Sequence, residues 1–174
     1  EKPVIEVIME KFAEYGMTEF YISVNHKAKM IKAFFEEFVS IYDITYIEEE
    51  TPLGTIGALK LIQEKVKSPF FVSNCDIIIE EDYRKIFDYH KQGQHLLTIV
   101  GSMQHHTIPY GVCKIKDGGE LVGLEEKPKY DILVNTGMYV IEQKALHEIP
   151  AGVKFDITDL INNLKSKGEK IGVY

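Results

Sequence analysis

The sequence predicts an α/β fold with a doubly wound, mostly parallel sheet. Three observations carry that expectation. Short apolar runs rich in β-branched and aromatic residues alternate with segments whose apolar residues recur three and four apart. That rhythm of strand and helix is the pattern of helices layered on a parallel sheet. The 174 residues leave room for one domain with a sizeable core, and no linker, repeat or low-complexity stretch divides them.

Residues 3–16 read as a helix, with Ile5, Ile8, Met9 and Phe12 on one face, Pro3 in the first turn and Gly16 at the stop. FYISV, residues 20–24, is apolar enough for a buried strand. A second helix carries Met30, Ile31, Phe34, Phe35 and Phe38 as its stripe. Residues 44–47 (ITYI) read as a strand, 55–66 as a helix, 69–74 (PFFVSN) as a strand, 81–92 as a helix and 96–101 as a strand. After Met103 two strand-like runs flank Asp117, Gly118 and Gly119, which is a hairpin signal. VNTGMYVIE is a further strand, and residues 155–167 are a last helix carrying Ile157, Leu160, Ile161 and Leu164. A doubly wound sheet usually opens on a strand whose turn into the first helix binds phosphate. This sequence opens on a helix and stops at IGVY, so it reads as a domain without its first strand and loop, cut within a later strand.

The net charge of −7 argues against nucleic acid or an anionic lipid surface as partner. A small anionic substrate stays open, because a few lysines or helix ends can hold phosphate in an acidic protein. No run approaches the roughly 20 apolar residues that cross a bilayer. Cys75 and Cys113 lie in apolar runs and read as buried free thiols, and the protein as cytoplasmic. The six histidines show no ligand spacing, and the pair His105 and His106 reads as part of a polar connection. Every apolar stripe is needed for the core, so none marks a subunit interface, and a homo-oligomer is neither required nor excluded.

Five segments carry candidate chemistry. In EEETPLGTIGALKLI, Gly54 and Gly57 flank a helix start and Thr55 is available as a cap. Glycines there let a ligand approach the backbone, and first-turn N–H groups attract phosphate or ring acceptors; a plain capped loop-to-helix junction has the same look. In FFVSNCDIII, Asp76 falls just past the carboxyl end of what reads as a central parallel strand, where open sheets bind ligands. A carboxylate there suits Mg2+ held between phosphate oxygens, or it caps a turn. In EEKPKY, Lys127 is a point charge suited to phosphate, Glu126 suits sugar hydroxyls and Pro128 fixes the turn. IPYGV and VNTGMY each put a glycine in a strand-like run, which weakens it unless a backbone or ligand comes close.

In order, these segments resemble the sugar-phosphate nucleotidyltransferase family over nearly the whole chain. KPVIE is similar to the segment after that family's Gly-rich loop. TPLGTIGAL resembles its L-G-T-A-G-A element with Ile56 in place of Ala, and SNCD its N-G-D element with Cys75 in place of Gly. YGV, EEKP, NTGMY and FDITDLI follow with the family's spacing. The nearest likeness is the bacterial branch often fused to CBS domains and commonly acting on GTP.

The resemblance implies a three-layer, Rossmann-like sheet with a β-hairpin sugar-binding insertion. It also implies a reaction, nucleotidyl transfer from a nucleoside triphosphate to a sugar 1-phosphate. Asp76 would hold Mg2+, Lys127 the sugar phosphate and Glu126 the sugar hydroxyls. Tyr110, Gly111, Asn135, Thr136 and Gly137 would line the sugar side. Gly54 and Thr55, with Gly57, Glu50 and Asn74 nearby, would sit on the nucleotide side. The Gly-rich loop, with its triphosphate-gripping Arg and Lys, and a second metal-binding Asp have no counterpart in these residues. The resemblance therefore implies weak product binding and little turnover by this chain alone. Two other readings share these features: a non-catalytic nucleotide-sugar-binding regulatory module, and a glycosyltransferase using a nucleotide sugar. The second usually carries Asp-x-Asp, where this chain has Asn74.

Overall fold

The structure, a computed structural model, describes residues 2–36 and 42–174. Phe38 therefore lies outside the described residues. The chain forms two compact units, Glu1–Val100 with Gly137–Tyr174, and Gly101–Thr136. The chain leaves the first along β4 (Leu97–Thr107) and returns along β7 (Lys129–Ile141).

In the first unit, α1 (Val4–Ala13) follows Pro3, whose fixed φ of −61° sets the helix entry, and buries Ile8, Met9 and Phe12. β1 (Glu19–Val24) pairs in parallel with β2 (Asp43–Glu48), Ile22 opposite Tyr46. Between them runs α2 (Ala28–Glu36), where only Phe35 of the described stripe is buried. Met30 is 61% exposed, against the expectation. Lys32 of α2 also reaches Glu48 at the end of β2.

A four-stranded sheet runs β3 (Phe70–Ser73), β7, β4 and β8 (Ile171–Val173). Its alternating residues explain the core. Tyr139 and Ile141 of β7 pack with Leu146, Leu160 and Leu164, the last two on α4 (Ile157–Ser166). Met138 and Val140 face the other way, with Phe12 of α1 and Tyr83 and Ile86 of α3 (Tyr83–Gly93). Both faces of the sheet are thus covered by helices, the three-layer arrangement expected where paired strand segments such as Met138–Ile141 are apolar on both faces. Each fully buried Leu of this core contributes on the order of 2 kcal/mol.

The sheet is mixed. β4 and β8 are parallel, while β3 pairs antiparallel with β7, not in parallel as expected, and has no second strand partner among the described residues. The return along β7 from the second unit sets that direction, which no local pattern encodes. Residues 55–66 are not an α-helix; Gly57–Ile62 forms a 3-10 helix entered from a glycine at φ +80°. β4 runs to Thr107, so His105 and His106 lie on a strand and not in a connection.

In the second unit, β5 (Val112–Ile115) and β6 (Leu121–Glu125) pair antiparallel around Gly118 and Gly119, both at positive φ. Cys113 lies on β5 and Cys75 in the turn after β3. Both are free, as expected, but exposed rather than buried, because the apolar runs that flank them end at or alternate past these positions. No described helix is long and apolar enough to cross a membrane.

Candidate functional site

A cleft of about 1100 Å³ opens within the first unit, bordered by β1, β3 and the apolar face of α1. β1 pairs only with β2 and β3 only with β7 among the described residues, so one edge of each strand borders the cleft without a strand partner. Gly54 and Thr55 line it from one side, and Ser73, Asn74 and Cys75 from the end of β3. Glu50, Gly57 and Asp76 do not line it.

The 49–57 segment is built by hydrogen bonds that satisfy its backbone. The Glu49 carboxylate accepts the Leu53 N–H at 2.8 Å and the Ser23 hydroxyl, while the Asn25 amide donates to the Glu49 carbonyl at 2.7 Å. The next residue, Gly54, has φ +80°, and a Cβ there would lie 2.6 Å from Asp156 Oδ1 and 2.7 Å from the Phe155 carbonyl oxygen. Glycine is required twice over, by conformation and by space. The Thr55 N–H donates to Asp156 Oδ1 at 2.8 Å, and the Thr55 hydroxyl accepts the Ile157 N–H at 2.8 Å. Ile56 N–H donates to the Phe155 carbonyl at 3.2 Å and Phe155 N–H to the Leu53 carbonyl at 2.8 Å. Gly57 is buried, its bare Cα facing the Leu53 side chain and the Val153 carbonyl.

Asp156 also opens α4, its own N–H donating to the Asp159 carboxylate at 3.0 Å in a capping box. The Thr55 N–H holds the Asp156 carboxyl below the usual carboxylate range, with Lys154 adding to the effect.

Past β3, the Asn74 N–H donates to the Gly137 carbonyl at 3.1 Å. Gly137 has φ +88°, and the Asn74 amide nitrogen lies 2.5 Å from where its Cβ would be. This pair fastens the end of β3 to β7. Asp76 is exposed in the following turn, its carboxylate without a hydrogen-bond or ion-pair partner among the described residues.

The second unit brings together two of the remaining motifs. Glu126 Oε2 lies 3.0 Å from where a Cβ on Gly111 would be, and the Ile108 N–H donates to the carbonyl of buried Pro128 at 3.1 Å. Lys127 sits between them at φ +45°, a left-handed conformation that a non-glycine residue adopts only under constraint. Tyr110, Glu126 and Lys127 are exposed, as is Asn135 on β7, next to half-buried Thr136.

Sequence reasoning named Glu50 near the base and singled out neither Glu49, Asn25 nor Asp156, which hold the loop. The Asp156-x-x-Asp159 spacing was a readable capping signal. Nothing local pointed to Thr55 as its second partner.

The chain matches the family model described as "Nucleotidyl transferase" over residues 1–172. It is 30% identical to mannose-1-phosphate guanyltransferase 2 of Candida glabrata, over 95% of this chain and 49% of that protein. It is 29% identical to UTP–glucose-1-phosphate uridylyltransferase of Synechocystis, over 97% of this chain and 48% of that protein. The chain thus spans about half the length of these curated relatives. Among solved structures, HddC from Yersinia pseudotuberculosis superposes with a TM-score of 0.75 at 24% identity, covering 99% of this chain and 76% of that one. That likeness establishes the fold, and the match across nearly all 174 residues establishes the lineage: the chain belongs to the nucleotidyl transferase family.

Proposed function

We propose that this chain is the nucleotide- and sugar-binding core of an enzyme that transfers a nucleotidyl group to a sugar 1-phosphate. A phosphate oxygen of the sugar 1-phosphate attacks the α-phosphorus of the nucleoside triphosphate. A new phosphorus–oxygen bond forms, the bond to the bridging oxygen breaks, and pyrophosphate leaves with its electron pair. Such transfer needs alignment and charge neutralisation more than covalent help from the protein.

The observation that carries this reading is that Gly54, Thr55 and Asn74 line one cleft, in a member of this family. Gly54 and Thr55 border the nucleotide from the cleft wall, with Gly57 permitting the tight packing beneath and Glu50 close by in the chain. Lys127 contacts the sugar phosphate and Glu126 the sugar hydroxyls; Tyr110, Gly111, Asn135, Thr136 and Gly137 line the sugar side. The closeness of Glu126 to bare Gly111 supports that grouping. Guanine is the favoured base, because a guanyltransferase is among the relatives. A cytoplasmic location is part of the reading.

No group of three or more His, Cys, Asp or Glu among the described residues could cage a metal ion. The lone unpartnered carboxylate of Asp76 nevertheless fits Mg2+, which takes one or two carboxylates and fills its other positions with phosphate oxygens and water. Bound there, the ion would neutralise charge on the phosphates.

The test is thermal denaturation with GDP-mannose, UDP-glucose and dTDP-glucose, with and without Mg2+, beside Asp76→Ala. Stabilisation selective for one base, dependent on Mg2+ and lost in the variant is the expected result. Ligand at a hundredfold over its Kd adds about 2.7 kcal/mol. No shift with any of the three overturns the proposal.

A further inference from the structure

Residues 155–157 play no part in the chemistry above, yet four hydrogen bonds tie them to the 53–56 loop. Two of these form a reciprocal pair. Asp156 accepts the Thr55 N–H, and Thr55 accepts the first N–H of α4, a cap supplied from 102 residues away. The Asp156 carboxylate normally satisfies its own helix start, as it does here with the third-residue N–H of the capping box. One carboxylate therefore serves two segments at once, and Gly54 packs against it with no room for a side chain.

We propose that Asp156 is a positioning residue for the nucleotide-side loop, and that the Thr55 hydroxyl acts as the α4 cap rather than as a ligand contact. This rests on reading that loop as nucleotide-binding. The physical argument is one of ordering. A loop entered through a glycine at φ +80° is free in isolation, and fixing each residue's backbone costs roughly 1–2 kcal/mol. If the fold has already fixed it, nucleotide binding does not bear that cost again. The lowered pKa of Asp156, due first to the Thr55 N–H, is consistent with a charge-assisted bond. The role is distinct from holding α4 together, because Asp159 shares the cap and does not touch the loop.

Isothermal titration of the unmodified chain with GDP, UDP and dTDP selects the nucleotide, and mannose 1-phosphate and glucose 1-phosphate serve as sugar-side probes. Asp156→Ala is expected to weaken the selected nucleotide about tenfold, the size of one lost charge-assisted bond, while sugar phosphate Kd stays within about twofold. Asp156→Asn keeps an acceptor oxygen and should recover most of that loss. Asp159→Ala should lower Tm without moving the nucleotide Kd. Thr55→Ser, which keeps the hydroxyl, should bind like the unmodified chain, and Thr55→Val should not. Equal nucleotide binding by Asp156→Ala and the unmodified chain overturns the positioning role alone. Parallel weakening by Asp156→Ala and Asp159→Ala, of both ligand types, reduces Asp156 to a structural cap and also overturns it. An unmodified chain that binds none of the nucleotides overturns the functional reading, and the role with it.

Discussion

The 53–57 loop and the 74–76 turn both belong to the candidate site, and they are held in opposite ways. The first is fastened at both ends, by Glu49 before it and by residues 155–157 beside it. Among the described residues the second is fastened only at Asn74, through Gly137, after which Cys75 and Asp76 stand exposed. The difference fits what each is proposed to meet. A flat base rewards a preset surface, whereas a hydrated cation carried by phosphates is met best by a carboxylate that can adjust.

The largest expected effect lies at the fastened loop. Gly54→Ala forces a side chain into positive φ and into the Asp156 carboxylate, and should cost about 3 kcal/mol or more in urea denaturation. Cys75→Ala, in the exposed turn, should change stability by no more than about 0.5 kcal/mol. Equal costs would end the comparison. Gly137→Ala should fall between them, about 2 kcal/mol, because the Asn74 amide can swing aside while the strained φ remains. Adding Asn74→Ala should recover part of that cost if the clash contributes.

Acid separates the fastened loop from the core on which it stands. His90 of α3 is fully buried, its Nδ1 2.8 Å from the Thr98 hydroxyl of β4 and its Nε2 3.6 Å from the Glu142 carboxylate, beyond hydrogen-bond reach. Burial lowers its pKa below 6.5, with Glu142 opposing and His95 and Lys91 assisting. A histidine with a lowered folded pKa binds its proton more readily when unfolded. Stability is therefore complete above pH 6.5 and declines as pH falls below it. Asp156 is lowered from 3.8, so its contribution persists until pH falls below that value. Between these limits Tm should fall while amide exchange at Thr55 stays slow relative to global opening, and His90→Leu should flatten the decline. A steep loss of Thr55 protection near pH 6 would contradict the order.

A change as small as that at Cys75 is expected at Lys127. Lys127→Gly removes the cost of φ +45° and should raise stability by about 0.5 kcal/mol, while abolishing any response to sugar phosphate. A loss of stability would show that the lysine side chain packs as well as binds.

Much of the fold was legible because local patterns carry it. Ile8 and Phe12, or Leu160 and Leu164, recur at helical spacing and are buried where that spacing says. Gly118 and Gly119 mark their turn, since few other residues take positive φ cheaply. Met30 shared the same periodicity and lies exposed, because a stripe tells which residues can face a core and not how much core is there to meet. In the candidate site, Gly54, Thr55 and Asn74 were readable as positions, but their partners were not.

Sequence alone determined the helix faces, the strand runs, the glycine turns and the order of motifs that marks the family. Those properties arise within a few residues of one another. Only the tertiary structure decided that β3 pairs antiparallel with β7, that Glu49 holds the loop, and that Thr55 and Asp156 hold each other. Their partners are set by the path of the whole chain, and a hydrogen bond between residues 101 positions apart leaves no periodic trace in the segments it joins.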